Sequence, residues 1–327
     1  MTKNAKKSPC CWRIFLLTLS LLLFSGSPAW GEEFKAAMLI PGVITDKSAS
    51  QSGYEGMVLA EKELGIEIAY SEKVAQPDQA EALADYARRG YNLVIGHGGE
   101  FQDAVNRVAQ RYPDTMFLVS NGSTPGANVA VVRFHFEALA YTLGYIGGKM
   151  TKSNKCAFIG AQQIAYSLQQ LTGFSNGFKA ADPNGQLLTA WTSDWDDTAK
   201  GKAAALSVIS QGADVVFPTM DNAILGSFQA AKEQGKWSFG IYYDTYPAWP
   251  DTILQSAIMK WSRVIADMIK IAKEGKLEFK EYIVGFESPA AVGLGTYNPA
   301  VPEEVRKEVA QVIEDIKSGK INPGAKQ

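Results

Sequence analysis

Cysteine is scarce in this chain, at three in 327 residues, and histidine scarcer still, at two. Cys10 and Cys11 sit together near the amino terminus, which leaves Cys156 alone in the remainder. One cysteine makes no internal disulfide, so the fold is not a disulfide scaffold. Within the apolar run KCAFIGA, Cys156 reads as a small buried hydrophobe. His97 and His135 lack metal-ligand spacing, and no metal site is expected. There is no G-x-S-x-G elbow and no plausible Cys–His pair, which removes the usual acyl-transfer machinery. A P-loop lysine motif is also missing, and GHGG (96–99) departs from G-x-G-x-x-G because Phe101 and Gln102 follow it. The paired acids Asp196 and Asp197 are expected to cap the next helix. No catalytic residue and no cofactor are expected. A basic stripe is lacking too: 32 basic residues face 34 acidic ones, a net charge of −2. Nucleic acid is therefore not an expected partner.

The amino terminus carries the one long apolar run. Lys3, Lys6, Lys7 and Arg13 precede IFLLTLSLLLF (14–24), and small residues at Ala29 and Gly31 follow. This is the pattern of a signal peptide spanning 1–31 and cleaved near Gly31–Glu32, with an apolar core too short to span a bilayer. Cys10 and Cys11 precede that core, whereas an acylated cysteine would follow it, so a lipoprotein-like anchor lacks its lipobox. Periplasmic localisation is expected. Removing the four basic residues of the leader leaves 28 basic against 34 acidic, a net −6.

From Phe34 onward, short apolar runs alternate with helical periodicity. AAMLI (36–40), EIAYS (67–71), NLVIG (92–96), TMFLVS (115–120) and NVAVVRF (128–134) read as strands. Helices are expected near 51–64 and 77–89, with another carrying Phe101, Ala104, Val105, Val108 and Ala109 on one face. After the small-residue helix 138–150 the pattern restarts. Strands KCAFIGA (155–161), QLLTAWT (186–192), DVVFPTM (214–220) and SFGIYYD (238–244) alternate with helices at 165–181, 198–211 and 222–234. TILQSAIMKW (252–261) and EYIVGF (281–286) read as late strands, and 302–318 as a closing helix. Runs without polar alternation are strands covered on both faces, so the fold class is α/β with doubly wound parallel sheets. Two lobes are expected, 32–137 with about 257–282 and 138–256 with about 283–327.

Open α/β sheets take ligands at the carboxyl ends of their strands. Those edges carry Asp46, His97, Asn121, Asp221 and Asp244. Trp195, beyond the QLLTAWT strand in SDWDD, has a flat face suited to a planar ligand. His97 is read either as a donor to the ligand or as a partner of a loop carbonyl.

At these residues the sequence resembles the basic-membrane-protein (BMP) family of solute-binding proteins, which serve ABC importers. The resemblance runs through DKS (46–48) with Gly53 to Gly56, Phe134 with LGYIGGKM, GFSNGFKAADPN (173–184), SDWDDTAKGKAAALSVISQGADVVF (193–217) and PDTILQSAIMKW (250–261). It implies the type I periplasmic binding protein fold, with two Rossmann-like lobes joined by a three-segment hinge. It implies a small-molecule ligand, an inner-membrane ABC permease as partner, and a monomer. Several members bind purine nucleosides and some bind adenine. Their opening loop looks like Asp-Lys-Ser-Phe-Asn, with the Phe stacked on the base; here Ala49 and Ser50 replace Phe and Asn. Trp195 and Asp197 match the family's aromatic and acid after the second-lobe strand. Of the late Gly-x-Asp-x-Asp pattern, Tyr242 replaces the first acid and Asp244 keeps the second. The basic residue of nucleoside binders aligns with Met259, while Lys260-Trp261 and Asp221 resemble the adenine-type branch. The resemblance thus implies a ligand site of Asp46, Ser48, His97, Phe101, Asn121, Trp195, Asp221, Asp244 and Trp261, with Phe101, Tyr54 or Tyr242 as replacements for the missing ring. A purine base or nucleoside is the expected ligand, another small solute the alternative. A sensory module presenting its ligand to a membrane receptor is the other expected role.

Overall fold

The computed structural model describes residues 33–45 and 49–325; the expected signal peptide and the loop residues Asp46, Lys47 and Ser48 lie outside them. The chain opens with β1 (Lys35–Leu39), α1 (Ala49–Leu64), β2 (Glu67–Ser71), α2 (Gln79–Arg88), β3 (Leu93–His97), α3 (Gln102–Ala109), β4 (Met116–Ser120) and β5 (Val129–Phe134). The second series is α4 (Phe136–Met150), β6 (Lys155–Gly160), α5 (Ala165–Ala181), β7 (Gln186–Trp191), α6 (Thr198–Ser210), β8 (Val215–Thr219), α7 (Ile224–Glu233), β9 (Trp237–Tyr242) and β10 (Ile253–Met259). It closes with α8 (Trp261–Lys273), β11 (Glu281–Val284), β12 (Val292–Leu294) and α9 (Glu303–Lys317).

The strands form two six-stranded sheets, ordered β2-β1-β3-β4-β5-β11 and β7-β6-β8-β9-β10-β12. Every pairing in the first is parallel, and in the second only β10–β12 is antiparallel. Alternating residues of one strand therefore serve two cores, as the two-residue period of a strand dictates. In β1, Ala36 and Met38 join the large core while Ala37 and Leu39 face α2 and α3. In β6, Cys156 and Phe158 join the large core while Ala157 and Ile159 face α6 and α7. Each sheet is thus covered on both faces, which is why its strands read as unbroken apolar runs.

The chain leaves the first sheet after Phe134, returns to it after Met259, and leaves again after Val284. At the first of these passages the backbone N–H of His135 donates to Val284 O (2.9 Å), tying it to the last. At the second, β10 ends two residues earlier than the late strand expected through Trp261. Trp261 instead begins α8, a helix absent from the sequence reading. Its residues Val264, Ile265, Met268, Ile269 and Ala272 are buried, the stripe of an amphipathic helix. Burying each of the larger ones is worth about 1.5–3 kcal/mol. The stripe lies against α1, where a Cβ on Gly56 would come 2.8 Å from Ile265 Cβ.

Candidate ligand-binding cleft

A hollow lies between α1 of the first lobe and the carboxyl ends of β9 and β10 of the second, and several residues that follow strands hold unusual backbone. Asn121 after β4, Ser193 after β7 and Tyr242 at the end of β9 all have positive φ, at 55°, 56° and 70°. Asparagine takes this conformation readily, whereas for a bulky residue it costs roughly 1–2 kcal/mol. Strain of this kind concentrates where a chain positions a functional side chain.

On the first lobe, the side-chain oxygen Oδ1 of Asn121 is buried without a hydrogen-bond partner. Its backbone N–H donates to Val132 O (2.8 Å), which fixes the residue at the sheet edge. Gly99 packs beside it: a Cβ there would lie 2.8 Å from Asn121 O. Glu100 follows. Its carboxylate folds over Gly98, to which a Cβ could be added only 2.3 Å from Glu100 Oε2. The GHGG turn therefore presents its own negative charge beside amides that could have met an anion. Glu100 is reachable by water yet crowded by the molecule around it, and burial raises its carboxyl pKa.

On the second lobe, Trp195 is half-buried and stacks on Tyr166, the second residue of α5, with ring centroids 5.8 Å apart and planes at 26°. The backbone N–H groups of Asp221 and Ala223 both donate to Trp195 O, at 3.0 and 3.1 Å. This binds the Trp195 loop to the end of β8. Of the acidic pair expected to cap α6, Asp197 does so, accepting from the N–H groups of Ala199 and Lys200, whereas Asp196 instead accepts from Asn222 Nδ2 (2.9 Å). Asp244 accepts from Thr296 Oγ1 (2.6 Å). Tyr242 lines two hollows. One, of about 300 Å³, reaches from Ser52 and Glu55 of α1 to Asp244, Lys260 and Gly295. The other, of about 190 Å³, adjoins Asp221, Asn222 and Leu225. A larger depression of about 630 Å³ lies at the opposite end of the first sheet beside Val129 and has no charged lining.

The expected residues separate in this frame. Asp244 lines the hollow of about 300 Å³ and Asp221 that of about 190 Å³, while Asn121 follows β4 and Trp195 lies four residues beyond β7. Phe101 is fully buried in the core between the first sheet and α3, against Gly96. Trp261 is likewise core, 1% exposed, with Phe134 at 4.5 Å and His97 at 5.4 Å between ring centroids. His97 is 3% exposed; its Nε2 donates to Ala49 O (2.8 Å) and its Nδ1 is 2.9 Å from Ser120 Oγ. Of the two readings of His97, the geometry gives the loop carbonyl. Asp46 and Ser48 fall outside the described residues. Sequence reasoning missed Tyr166 and Glu100, although each follows within a few residues of a strand's carboxyl end, the same signal that found Asn121.

Among the described residues no group of histidine, cysteine or acidic side chains could hold a metal ion. No described helix is long and apolar enough to cross a membrane.

A family model described as ABC transporter substrate-binding protein PnrA-like matches residues 34–326. The chain is 28% identical over 306 residues to the transcriptional activator protein med of Bacillus subtilis (strain 168), covering 92% of this chain and 95% of that one. It is 26% identical over 261 residues to a purine-binding protein of Brucella abortus (strain 2308), covering 79% and 73%. In structure it is similar to an ABC transporter solute-binding protein from Aeropyrum pernix K1, with TM-score 0.75 at 21% identity over 88% of this chain and 92% of that one. The two lobes with their largely parallel sheets have the type I periplasmic binding protein fold. The match takes in both lobes and all three passages between them, and the chain belongs to the PnrA-like family of ABC transporter substrate-binding proteins, which are binding proteins and not enzymes.

Proposed function

We propose that this protein captures a small planar nitrogenous ring, a purine base or nucleoside, between its lobes and delivers it to an inner-membrane ABC permease from the periplasm. The observations that support this reading are Trp195 stacked on Tyr166 in the second lobe and a buried, unpartnered amide oxygen, Asn121 Oδ1, in the first. Aromatic surface with a few convergent polar groups is what a ring with polar edges requires. Asp221 and Asp244 add acceptors for amino, ring N–H or hydroxyl groups. The hollow of about 300 Å³ beside Asp244 is at the small end of the range for ligand sites, which suits one ring system better than an extended chain. The purine-binding relative from Brucella abortus supports the same class. The part of Asp46 and Ser48 rests on the sequence alone.

A thermal-shift panel of nucleobases, nucleosides and sugars tests the reading, because a ligand at about a hundred times its Kd stabilises the fold by about 2.7 kcal/mol. A shift with purines, abolished in Trp195→Ala, is the expected result. No shift with any base or nucleoside, or an unchanged dissociation constant for Trp195→Ala, would overturn it.

A second reading is favoured by the relative from Bacillus subtilis, a transcriptional activator that covers nearly the whole chain. On this second reading the closed lobes of the present protein report the ligand to a membrane receptor instead of delivering it. Permease and ATPase genes beside this one support delivery; a receptor-kinase gene supports reporting.

A further inference from the structure

Two turns at the carboxyl edge of the first sheet, GHGG after β3 and NGST (121–124) after β4, are tied together by one side chain. Gln102, the first residue of α3, is 9% exposed and reaches from the first turn to the second. Its Oε1 accepts from the N–H groups of Ser123 (2.8 Å) and Thr124 (3.1 Å). Its Nε2 donates to Thr124 O (3.0 Å) and to Asn106 Oδ1 (3.1 Å), one turn along α3. A carboxamide has two acceptor sites and two N–H groups, so all four are used and the amide has a single orientation. Packing holds the same segment. A Cβ on Gly122 would come 2.6 Å from Gln102 Oε1, 2.8 Å from Val131 Cγ1 and 2.9 Å from Val119 Cβ, so the chain lies flat between Gln102 and the sheet.

Asn121 opens this clamped segment. Its own N–H is bonded to Val132 O, and the residues two and three places on are held by Gln102. Between those fixed points it keeps φ at 55° and a buried amide oxygen with no hydrogen-bond partner among the described residues. An unpaired buried acceptor is unfavourable, and a loose loop would turn to give it water or a donor. Such an arrangement persists only where the surroundings over-determine it. Here the four hydrogen bonds of Gln102 do so. A donor group of a ligand then meets an acceptor that is already desolvated and oriented, with little left to order.

We infer that Gln102 is a positioning residue, which holds the loop after β4 so that the Asn121 amide oxygen stays open for a hydrogen-bond donor of the ligand. This rests on the reading of Asn121 as part of a site for a purine, and it adds the residue that acts through Asn121. The role needs a carboxamide. Glutamate keeps the acceptor contacts and loses both N–H groups; methionine has similar length and loses all four bonds.

The test is a double-mutant cycle of Gln102→Met and Asn121→Gly, titrated calorimetrically with adenine, hypoxanthine and their nucleosides. Glycine is used at 121 because it takes a positive φ without strain. Circular dichroism verifies folding, and Gln102→Glu serves in the cycle should Gln102→Met not fold. Each single substitution should weaken the purine that binds about five- to fiftyfold. The double variant should lie within about threefold of Asn121→Gly, since Gln102 acts through an oxygen no longer present. Amide exchange of the unliganded protein gives a readout that needs no ligand: Ser123 and Thr124 should exchange at least about tenfold faster in the Gln102 variant, with β3 and β4 still protected. Losses that multiply in the double variant, unchanged exchange, or a Gln102 variant with a lower melting temperature but wild-type affinity would overturn the inference and leave the wider reading standing. So would wild-type affinity in Asn121→Gly. No binding of any base or nucleoside would overturn both.

Discussion

The carbonyl oxygen of Ala49 accepts a hydrogen bond of 2.8 Å from Nε2 of His97. A carbonyl can only accept, so Nε2 carries the hydrogen, while Nδ1 shares a hydrogen bond with Ser120 Oγ. One ring thereby ties the first turn of α1 to the carboxyl ends of β3 and β4. Residue 49 is held through its backbone, and its partly buried side chain packs against the large core.

The His97 ring lies flat against Gly53, where an added Cβ would come 2.5 Å from Nε2 and 2.8 Å from both neighbouring carbons. In a free helix Gly→Ala stabilises by about 1 kcal/mol. Here the ring is penned by Trp261 on another side, so Gly53→Ala should destabilise by about 1–3 kcal/mol. Urea denaturation measures this, and a midpoint equal to or above wild type would show that the ring has room to move.

Ala49→Phe restores the ring that nucleoside-binding members of the family place at this position. Because the bond from His97 uses the main chain and residue 49 is only partly buried, the variant should fold, with a stability cost of about 1–3 kcal/mol at most where the ring meets the core. Stacking of a base on an aromatic side chain is worth about 1–3 kcal/mol, so purine nucleoside affinity should rise about five- to a hundredfold. A titration showing no gain would mean that position 49 does not face the ligand.

Glu100 gives the cleft a pH dependence of defined sign. Its pKa is raised from the ordinary 4.5 by burial, so the folded protein holds that proton more tightly than the unfolded chain. The penalty is absent below the ordinary value and grows as pH rises through the raised one. Glu100→Gln removes the titration. Its melting temperature should exceed that of wild type at about pH 7 and converge with it near pH 4. The reverse order would show that the carboxylate gains a favourable partner when charged.

Cys156 is fully buried, and burial with the nearby Asp214 and Asp182 carboxylates raises its thiol pKa well above normal. Thiolate is the reactive form, so a thiol reagent should be excluded from the folded protein. In the chain from Glu32 onward, labelling should therefore follow the rate of unfolding across a denaturant series. Rapid labelling without denaturant would reveal local opening at β6.

The strands were legible because both faces of each sheet are covered, which leaves continuous apolar runs with little to confuse them. The helix α8 was not. Its first residue, Trp261, follows so closely on β10 that the apolar pattern reads as one longer strand, and only the backbone shows the break at Lys260. β12 has three residues, one of them Gly293, and is too short for any periodicity. At the site, the rule that ligands meet the carboxyl ends of strands led to Asn121, Asp221 and Asp244. Aromatic residues defeated it: nothing in the sequence distinguishes Phe101 and Trp261, which are core, from Tyr166, which is at the cleft. That difference depends on which side of a helix faces a partner distant in the chain.

The first sheet also constrains how the molecule comes to be made. Its last strand, β11, begins at Glu281, after every strand of the second sheet except β12. Until that segment has been synthesised β5 remains an open edge, and α1 lacks its cover until α8, which itself follows β10, has been made. Neither lobe can be finished first and set aside while the other folds. Contacts between parts so distant in sequence form slowly, since the chain must be closed over a long loop before it gains from them. A fragment ending before Val284 would therefore contain most of both lobes and complete neither.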